Sequence, residues 1–259
     1  MSTFPLTAPR TSGAVRVPRL SRGAKQVALF LLAYLVYSLA RWVTMGELPV
    51  ALANAHWIVR LEDTLGVHVE APVQDALTGT AVLWVLNHLY LAAQLIVVPG
   101  ALFFLYRRSR SAYERLRNTV LATWLLSIPV YALFPVAPPR LAGIGMVDTI
   151  TTQTGFAMDS KLTTSLYNSL AAVPSLHVGF AFAVGVAIAA ATRSPLIKLI
   201  AHLWGPAIAL AVVATGNHFV FDIAAGMVAA GIGYGLGHLV SRANDLSLRP
   251  RPALATNAP

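Results

Sequence analysis

The chain has 259 residues, of which only 11% are charged, and a mean hydropathy of +0.65. A soluble globular domain carries about a quarter charged residues, so this composition excludes an ordinary soluble protein and predicts an integral membrane protein. The absence of cysteine excludes disulfides and thiolate metal sites. The formal net charge of +9 comes from short basic segments beside long apolar runs, which indicates membrane topology and no nucleic-acid partner.

Six apolar runs are long enough to cross a hydrocarbon core of about 30 Å, which needs roughly 20 residues per helix. They predict an all-α, polytopic membrane protein with six transmembrane helices. The runs are Gln26 to Met45, Ala81 to Tyr106, Asn118 to Val136, Pro174 to Thr192, Leu196 to Thr215 and Asn217 to Val240. One membrane domain, 24–242, is therefore expected between two disordered tails, 1–23 and 243–259.

The connection between the first two runs contains a further helical pattern, from Asn54 to Leu65. We interpret this segment as an interfacial helix lying along the membrane surface. Its apolar and charged positions alternate at helical spacing: Ile58, Leu61 and Leu65 against Arg60, Glu62 and Asp63.

The distribution of Lys and Arg predicts the orientation, because positive residues are retained on the cytoplasmic side. The two tails and alternate connections hold fifteen of them, whereas the other connections hold three: Arg60, Arg140 and Lys161. Both termini are therefore predicted to be cytoplasmic, with 46–80, 137–173 and the turn near Gly216 outside the cytoplasmic membrane. Sixteen arginines against three lysines are typical of a GC-rich bacterial genome.

A histidine and an aspartate begin the sixth run. His218 and Asp222 stand four residues apart, which puts both side chains on one face of a helix. A buried carboxylate one turn deeper would fix the tautomer of His218. Ionisable groups at membrane depth are functional candidates, although an inert pair that stabilises helix packing is the structural alternative.

Two more segments at the same predicted membrane face suit an anion. His177 closes Pro-Ser-Leu-His at 174–177, just before an apolar helix, and a helix start with the Ser175 hydroxyl favours a bound anion. Arg140 ends a Pro-rich segment, where a restricted guanidinium suits phosphate. Individually, His177 could be a packing residue and Arg140 a snorkelling one, but the topology brings these candidates to one boundary.

These motifs resemble the type 2 phosphatidic acid phosphatase superfamily. Pro-Ser-Leu-His at 174–177 and His-Phe-Val-Phe-Asp at 218–222 are similar to its second and third signatures. Ala-Pro-Pro-Arg at 137–140, and leucine at 176 where phosphatases usually have glycine, are closer to the inositol phosphorylceramide synthase branch, which transfers phosphoinositol. The resemblance covers about residues 80 to 240.

The resemblance implies a metal-independent, cofactor-free lipid phosphatase or phosphotransferase. In it, His218 attacks phosphorus to form a phosphohistidine, Asp222 orients His218, and His177 protonates the leaving group. Arg140 and Ser175 would bind phosphate. The sequence has Val212 and Val213 where phosphatases of this superfamily carry a Ser-Arg pair, so Lys161 and Asn168 are expected to replace them, or the substrate is a less charged diester.

Other readings of the same residues remain. A proton-coupled carrier could titrate His218 and Asp222, although the sequence has no evident inverted repeat. A catalytically inactive membrane scaffold would have no need of the two histidines and the aspartate. A metal site made of His177, His218 and Asp222 is conceivable by ligand type, but the neighbouring serine and arginine suit phosphate better.

Overall fold

The computed structural model of the chain describes residues 21–44, 46–158, 160–166 and 168–247. Within these ranges the protein is helical and has no β-strand beyond an isolated bridge between Val136 and Ala171. The helices are α1 (Arg22–Thr44), α2 (Leu48–Leu65), α3 (Glu70–Leu77), α4 (Ala81–Ala92), a π-helical turn (Ala93–Val97), α5 (Val98–Arg108), α6 (Arg110–Leu133), a 3₁₀ turn (Pro139–Leu141), α7 (Thr149–Thr154), α8 (Lys161–Leu166), α9 (Leu176–Ala191), α10 (Pro195–Ala214) and α11 (Val220–Ser247).

Four described helices are long and apolar enough to cross a membrane: Arg22–Ala40, Ala81–Arg108, Pro195–Ala214 and Val220–Arg242. The second of these joins α4, the π-helical turn and α5 into one helix. The prediction of six spans is therefore supported for four. The first eight residues of α6 include four charged ones, so α6 differs from the four long helices in composition. Helix α9 has only 16 residues, so it differs from them in length.

The limits of the helical core differ from the predicted domain boundaries. Helix α1 begins at Arg22, and α11 continues to Ser247, so both helices extend beyond the predicted boundaries of 24 and 242. Residues 1–20 and 248–259, which make up most of the two predicted tails, lie outside the described residues.

Glycines allow the long helices to pack closely. A Cβ on Gly179 of α9 would lie 3.0 Å from the carbonyl oxygen of Gly226 in α11. A Cβ on Gly233 of α11 would lie 2.9 Å from the backbone nitrogen of Thr123 in α6. Close approach through small residues is the usual basis of helix association in membranes, and here it fixes α6, α9 and α11 against one another.

The predicted helix between the first two spans exists as α2, but its buried face differs from the sequence interpretation. Glu62, expected among the charged outer positions, is 1% exposed, whereas Leu65 is 64% exposed. Glu62 is buried because its carboxylate accepts a hydrogen bond from the backbone N–H of Phe221 at the start of α11. The buried face of α2 consists of Ala51, Ala55, Ile58 and Glu62.

Segments between α6 and α9 complete a cap over one end of the bundle. The N–H of Val136 donates to Leu170 O at 2.8 Å, and the N–H of Ala137 donates to Ala51 O at 3.1 Å. Residue Gln74 of α3 bridges the cap to the bundle, since its Nε2 donates to Ala214 O at 3.0 Å. The cap therefore covers the ends of α10 and α11 that carry the predicted site.

Candidate active site

His218 lies on a tight connection between α10 and α11. Gly216 has a φ of +71°, a left-handed conformation that favours glycine. The N–H groups of Asn217 and His218 both donate to Val212 O at 3.1 Å, which ends α10. His218 is 6% exposed, so its ring is held in a nearly closed environment.

The hydrogen bonds of His218 define its tautomer. Its Nδ1 lies 3.0 Å from Ala172 O and 3.1 Å from Asp222 Oδ2. A carbonyl and a carboxylate oxygen only accept, so Nδ1 carries the proton and the neutral ring keeps its lone pair on Nε2. Asp222 is fully buried, and its Oδ2 also accepts the N–H of Phe219 at 3.0 Å, which fixes the carboxylate.

His177 faces His218 across a pocket. It is the second residue of α9, and its ring centroid lies 6.0 Å from that of His218 at an interplanar angle of 56°. The ring of Tyr90 stacks on His177 with a centroid separation of 4.0 Å and an angle of 18°. Both imidazoles line the pocket, so a group placed between them could contact both.

Arg140 is attached to the turn that carries His218. The 3₁₀ turn at 139–141 brings its N–H to Gly216 O at 2.9 Å. Its Nη1 donates to Asn217 Oδ1, and Asn217 Nδ2 in turn donates to Thr215 Oγ1 at 2.9 Å. Arg140 and Asn217 also line the pocket, so the structure brings the predicted phosphate-binding arginine to the two histidines.

Ser175, predicted to bind phosphate through its hydroxyl, is not among the residues that line the pocket. It is fully buried, and its Oγ caps α9 by accepting the N–H of Val178 at 3.4 Å. Its own N–H donates to Asp222 O at 3.1 Å, and its carbonyl lies against Gly226. Ser175 thus joins the starts of α9 and α11.

Lys161 and Asn168, which were predicted to replace the missing Ser-Arg pair, differ in their position relative to the pocket. Lys161 is exposed at the start of α8 and does not line the pocket. Asn168 is buried and lines it. The N–H of Asn168 donates to the Tyr37 hydroxyl at 3.1 Å, and its Oδ1 accepts the N–H of Leu170 at 2.9 Å.

Polar residues that line the pocket and were not predicted from the sequence as site residues include Tyr37, Tyr90, Gln94, Tyr131 and Asn217. Gln94 had a signal, since it is an amide within an apolar run where unpaired polar groups are unfavourable. It lies in the π-helical turn at 93–97, and such turns occur frequently at functional sites. The Tyr131 hydroxyl donates to Pro174 O at 3.1 Å, which supports the segment before His177.

The pocket is small and lies beneath the cap. Its volume is about 110 Å³, whereas pockets that enclose a drug-sized ligand measure roughly 300–1,000 Å³. The pocket lies well inside the bundle, because its lining residue Tyr90 is about 14 Å along the helix axis from Ala81, the first residue of α4, at a rise of 1.5 Å per residue. The pocket can therefore enclose a phosphate-sized group, with any long apolar portion remaining outside it.

The pocket has little fixed charge. Among the described residues that line it, Arg140 is the only one with a permanent positive charge. Val212 is fully buried and Val213 is 5% exposed, both in an apolar cluster, so these positions supply no cation. The described part of the chain also contains no group of three or more His, Asp or Glu side chains that could hold a metal ion.

The sequence model of the PAP2 superfamily matches residues 56–236, a range that includes Arg140, His177, His218 and Asp222. Neither the curated proteins nor the solved structures give a significant match.

Proposed function

The chain belongs to the PAP2 superfamily, whose members are generally phosphatases, and we propose that it is an integral membrane lipid phosphatase or phosphotransferase. The proposed reaction takes place on a lipid phosphate at the outer membrane face and uses a phosphohistidine intermediate. Within the superfamily, leucine at position 176 and the Ala-Pro-Pro-Arg segment favour the branch that transfers phosphoinositol to a lipid alcohol.

The observation that carries this proposal is the arrangement of two imidazoles and one carboxylate at a single pocket. His177 and His218 face each other with ring centroids 6.0 Å apart, and Asp222 holds Nδ1 of His218. An in-line displacement needs a nucleophile on one side of phosphorus and an acid on the other. This geometry suits phosphoryl transfer better than a carrier or a scaffold, neither of which requires two opposed imidazoles.

The proposed reaction has two steps. In the first, His218 Nε2 forms a bond to phosphorus while the bond to the leaving oxygen breaks, and His177 gives that oxygen a proton. In the second, His177 takes the proton from a water or alcohol hydroxyl, whose oxygen bonds to phosphorus and displaces His218. Asp222 stabilises the His218 ring while it carries positive charge, as the orienting acid does in other histidine-based sites.

The charge of the pocket supports a phosphodiester substrate. Arg140, placed by Asn217, would bind the non-bridging oxygens, and the first turn of α9 would add the positive end of its helix dipole. A phosphate monoester carries about two negative charges at neutral pH, whereas a diester carries one. One guanidinium matches the diester.

The membrane arrangement in the proposal keeps six spans. The four long apolar helices would be joined by α9 and by the C-terminal, uncharged part of α6. With fifteen Lys and Arg residues on one side against three on the other, both termini would be cytoplasmic. The capped end, with the pocket, would then face outward from the cytoplasmic membrane.

The direct test is transfer or release of phosphate from a panel of lipid monoesters and diesters by detergent-purified protein in the presence of EDTA. Wild type, His177→Ala and His218→Ala are compared, with His202→Ala as control because His202 is exposed on α10 and does not line the pocket. We expect EDTA-resistant turnover in wild type and His202→Ala, and loss of turnover in His177→Ala and His218→Ala. Full turnover in His218→Ala would refute the assigned roles.

A second arm of the same assay separates transfer from hydrolysis. Candidate alcohols are added with the lipid diester, and the products are resolved by chromatography. A phosphotransferase makes a new phosphodiester that contains the added alcohol, whereas a phosphatase releases only the hydrolysed product.

A further inference from the structure

Two buried glutamates of the cap contact the first turn of α11. Glu62 of α2 is 1% exposed, and its Oε1 accepts the N–H of Phe221 at 2.6 Å. Glu70 of α3 is fully buried, and its Oε1 accepts the N–H of Val220 at 2.8 Å. Buried carboxylates are unfavourable unless their contacts offset the burial.

Together with Asp222, these glutamates satisfy three successive N–H groups at the helix start. Asp222 Oδ2 accepts the N–H of Phe219 at 3.0 Å, and the glutamates accept the next two. The first N–H groups of a helix have no partner within it, so external acceptors determine where that turn lies. The same Asp222 oxygen accepts His218 Nδ1, so the position of this turn sets the position of the His218 ring.

The two glutamates contact neighbouring positions of the same helix turn, and Glu62 holds its proton more tightly than a free carboxyl group does. Their Oε1 atoms accept the N–H groups of adjacent residues, Val220 and Phe221, and neither Oε2 has a hydrogen-bond partner among the described residues. Two adjacent carboxylates repel each other when both are ionised, which favours the protonated form of Glu62. Burial, followed by the hydrogen bond with Glu70, raises the pKa of Glu62 to about 8.

The other titratable groups near the pair come from the connection between α2 and α3, from α2 itself and from α11. His68 Nε2 lies 3.7 Å from Glu70 Oε2, and His68 Nδ1 lies 2.7 Å from Asp63 Oδ1. Asp222 adds a third carboxylate from α11 and also acts to raise the pKa of Glu62. The side chain of His68 is 22% exposed, so it connects the buried pair with the solvent outside the cap.

We propose that Glu62 and Glu70 are positioning residues for His218, which hold the start of α11 as a pair sharing one proton and release it when that proton is lost. This inference rests on the proposed function, in which His218 is the nucleophile. Loss of the proton adds a second negative charge to the pair beside Asp222, and the carboxylates then separate. One of the two backbone contacts is lost, and the His218 ring leaves its aligned position.

The test compares kcat and KM of wild type, Glu62→Gln and Glu62→Ala between pH 6 and 9.5. Asp75→Asn is the matched control, because Asp75 is an exposed carboxylate on the same helix as Glu70. Glutamine keeps an acceptor for Phe221 and a donor for Glu70 without ionising. We expect Glu62→Ala to lower kcat about tenfold at pH 7 with KM little changed, since a buried N–H loses its acceptor.

The pH profile distinguishes positioning from a general loss of structure. Wild type and Asp75→Asn should lose kcat as pH rises past about 8, whereas Glu62→Gln should retain activity there. A normal kcat and profile in Glu62→Ala, or the wild-type alkaline decline in Glu62→Gln, would overturn the inference. If Glu62→Ala does not fold, the comparison of Glu62→Gln with wild type decides.

Thermal unfolding in detergent separates failure of this inference from failure of the proposed function. The folded state holds a proton on Glu62 up to about pH 8, whereas the unfolded state releases it near pH 4.5. The unfolding free energy of wild type should therefore decline as pH rises between these values, and Glu62→Gln should lack that part of the decline. Absence of lipid turnover with this difference intact would reject the function, and identical declines would reject the shared proton.

Discussion

Substitution of Gly226 by alanine tests whether the close contact between α9 and α11 aligns the two histidines. A Cβ at this position would be much closer than 3.0 Å to Ser175 O and 3.2 Å from the carbonyl carbon of Ser175. The obstacle is backbone and cannot rotate away as a side chain could. Restoring an ordinary separation of 3.4 Å or more requires a displacement on the order of 1 Å.

The expected effects on stability and activity differ in size. Overpacking costs about 1–3 kcal/mol, and the change from glycine to alanine inside a helix returns about 1 kcal/mol. The net loss of unfolding free energy is therefore about 0–2 kcal/mol. The displacement, however, separates Ser175 from Asp222, to which it donates at 3.1 Å, and shifts His177 relative to His218. A misplacement of about 1 Å can lower a catalytic rate about a hundredfold.

The assay measures kcat with a lipid phosphodiester and the unfolding temperature in the same detergent. Gly231→Ala is the matched control, because Gly231 lies on the same helix and an added Cβ meets nothing within 4 Å. We expect Gly226→Ala to fold with little activity and Gly231→Ala to match wild type in activity with equal or greater stability. Normal kcat in Gly226→Ala, or an equal loss in both variants, would refute the alignment argument.

Three further substitutions test individual pocket contacts by steady-state kinetics. Asp222→Asn keeps the shape of the side chain but removes a charge-assisted hydrogen bond of about 1.5–3 kcal/mol. The kcat should therefore fall about 10–100-fold, and an unchanged kcat would contradict the role of Asp222. Arg140→Lys removes the planar fork that could contact both Asn217 and phosphate, so KM should rise about tenfold, and an unaltered KM would exclude phosphate binding by Arg140. Tyr90→Ala removes the ring stacked on His177 and should lower kcat by about tenfold, whereas Tyr90→Phe keeps the ring and should retain the wild-type kcat. Equal kcat in the two variants would argue against ring stacking as the cause.

The sequence predicted those features that depend on local periodicity. Apolar runs located the long helices, and the spacing of four residues placed His218 and Asp222 on one helix face, where their side chains meet at 3.1 Å. Topology assigned Arg140, His177 and His218 to one membrane boundary, and the structure brings all three to one pocket. These inferences needed only the helical repeat and the distribution of charge.

Features that depend on long-range contacts could not be predicted in this way. Glu62 has the spacing of a solvent-facing residue, yet its backbone partner Phe221 lies 159 positions away in the chain. Ser175 has the character of an anion ligand, but its hydroxyl is used to cap α9. Gln94 reaches the pocket from a π-helical turn, which helical periodicity alone does not indicate.

The charge of the pocket bears on whether water or an alcohol accepts the phosphoryl group. Transfer of a diester to an alcohol begins and ends with a singly charged phosphodiester, for which the Arg140 guanidinium is sufficient. Hydrolysis of the same diester would leave a monoester with about two negative charges at neutral pH beside one cation. Unneutralised charge beneath the cap is unfavourable, and Val212 and Val213 contribute none of the compensation that a Ser-Arg pair would give. This charge balance favours the phosphotransferase form of the proposed function over the phosphatase form.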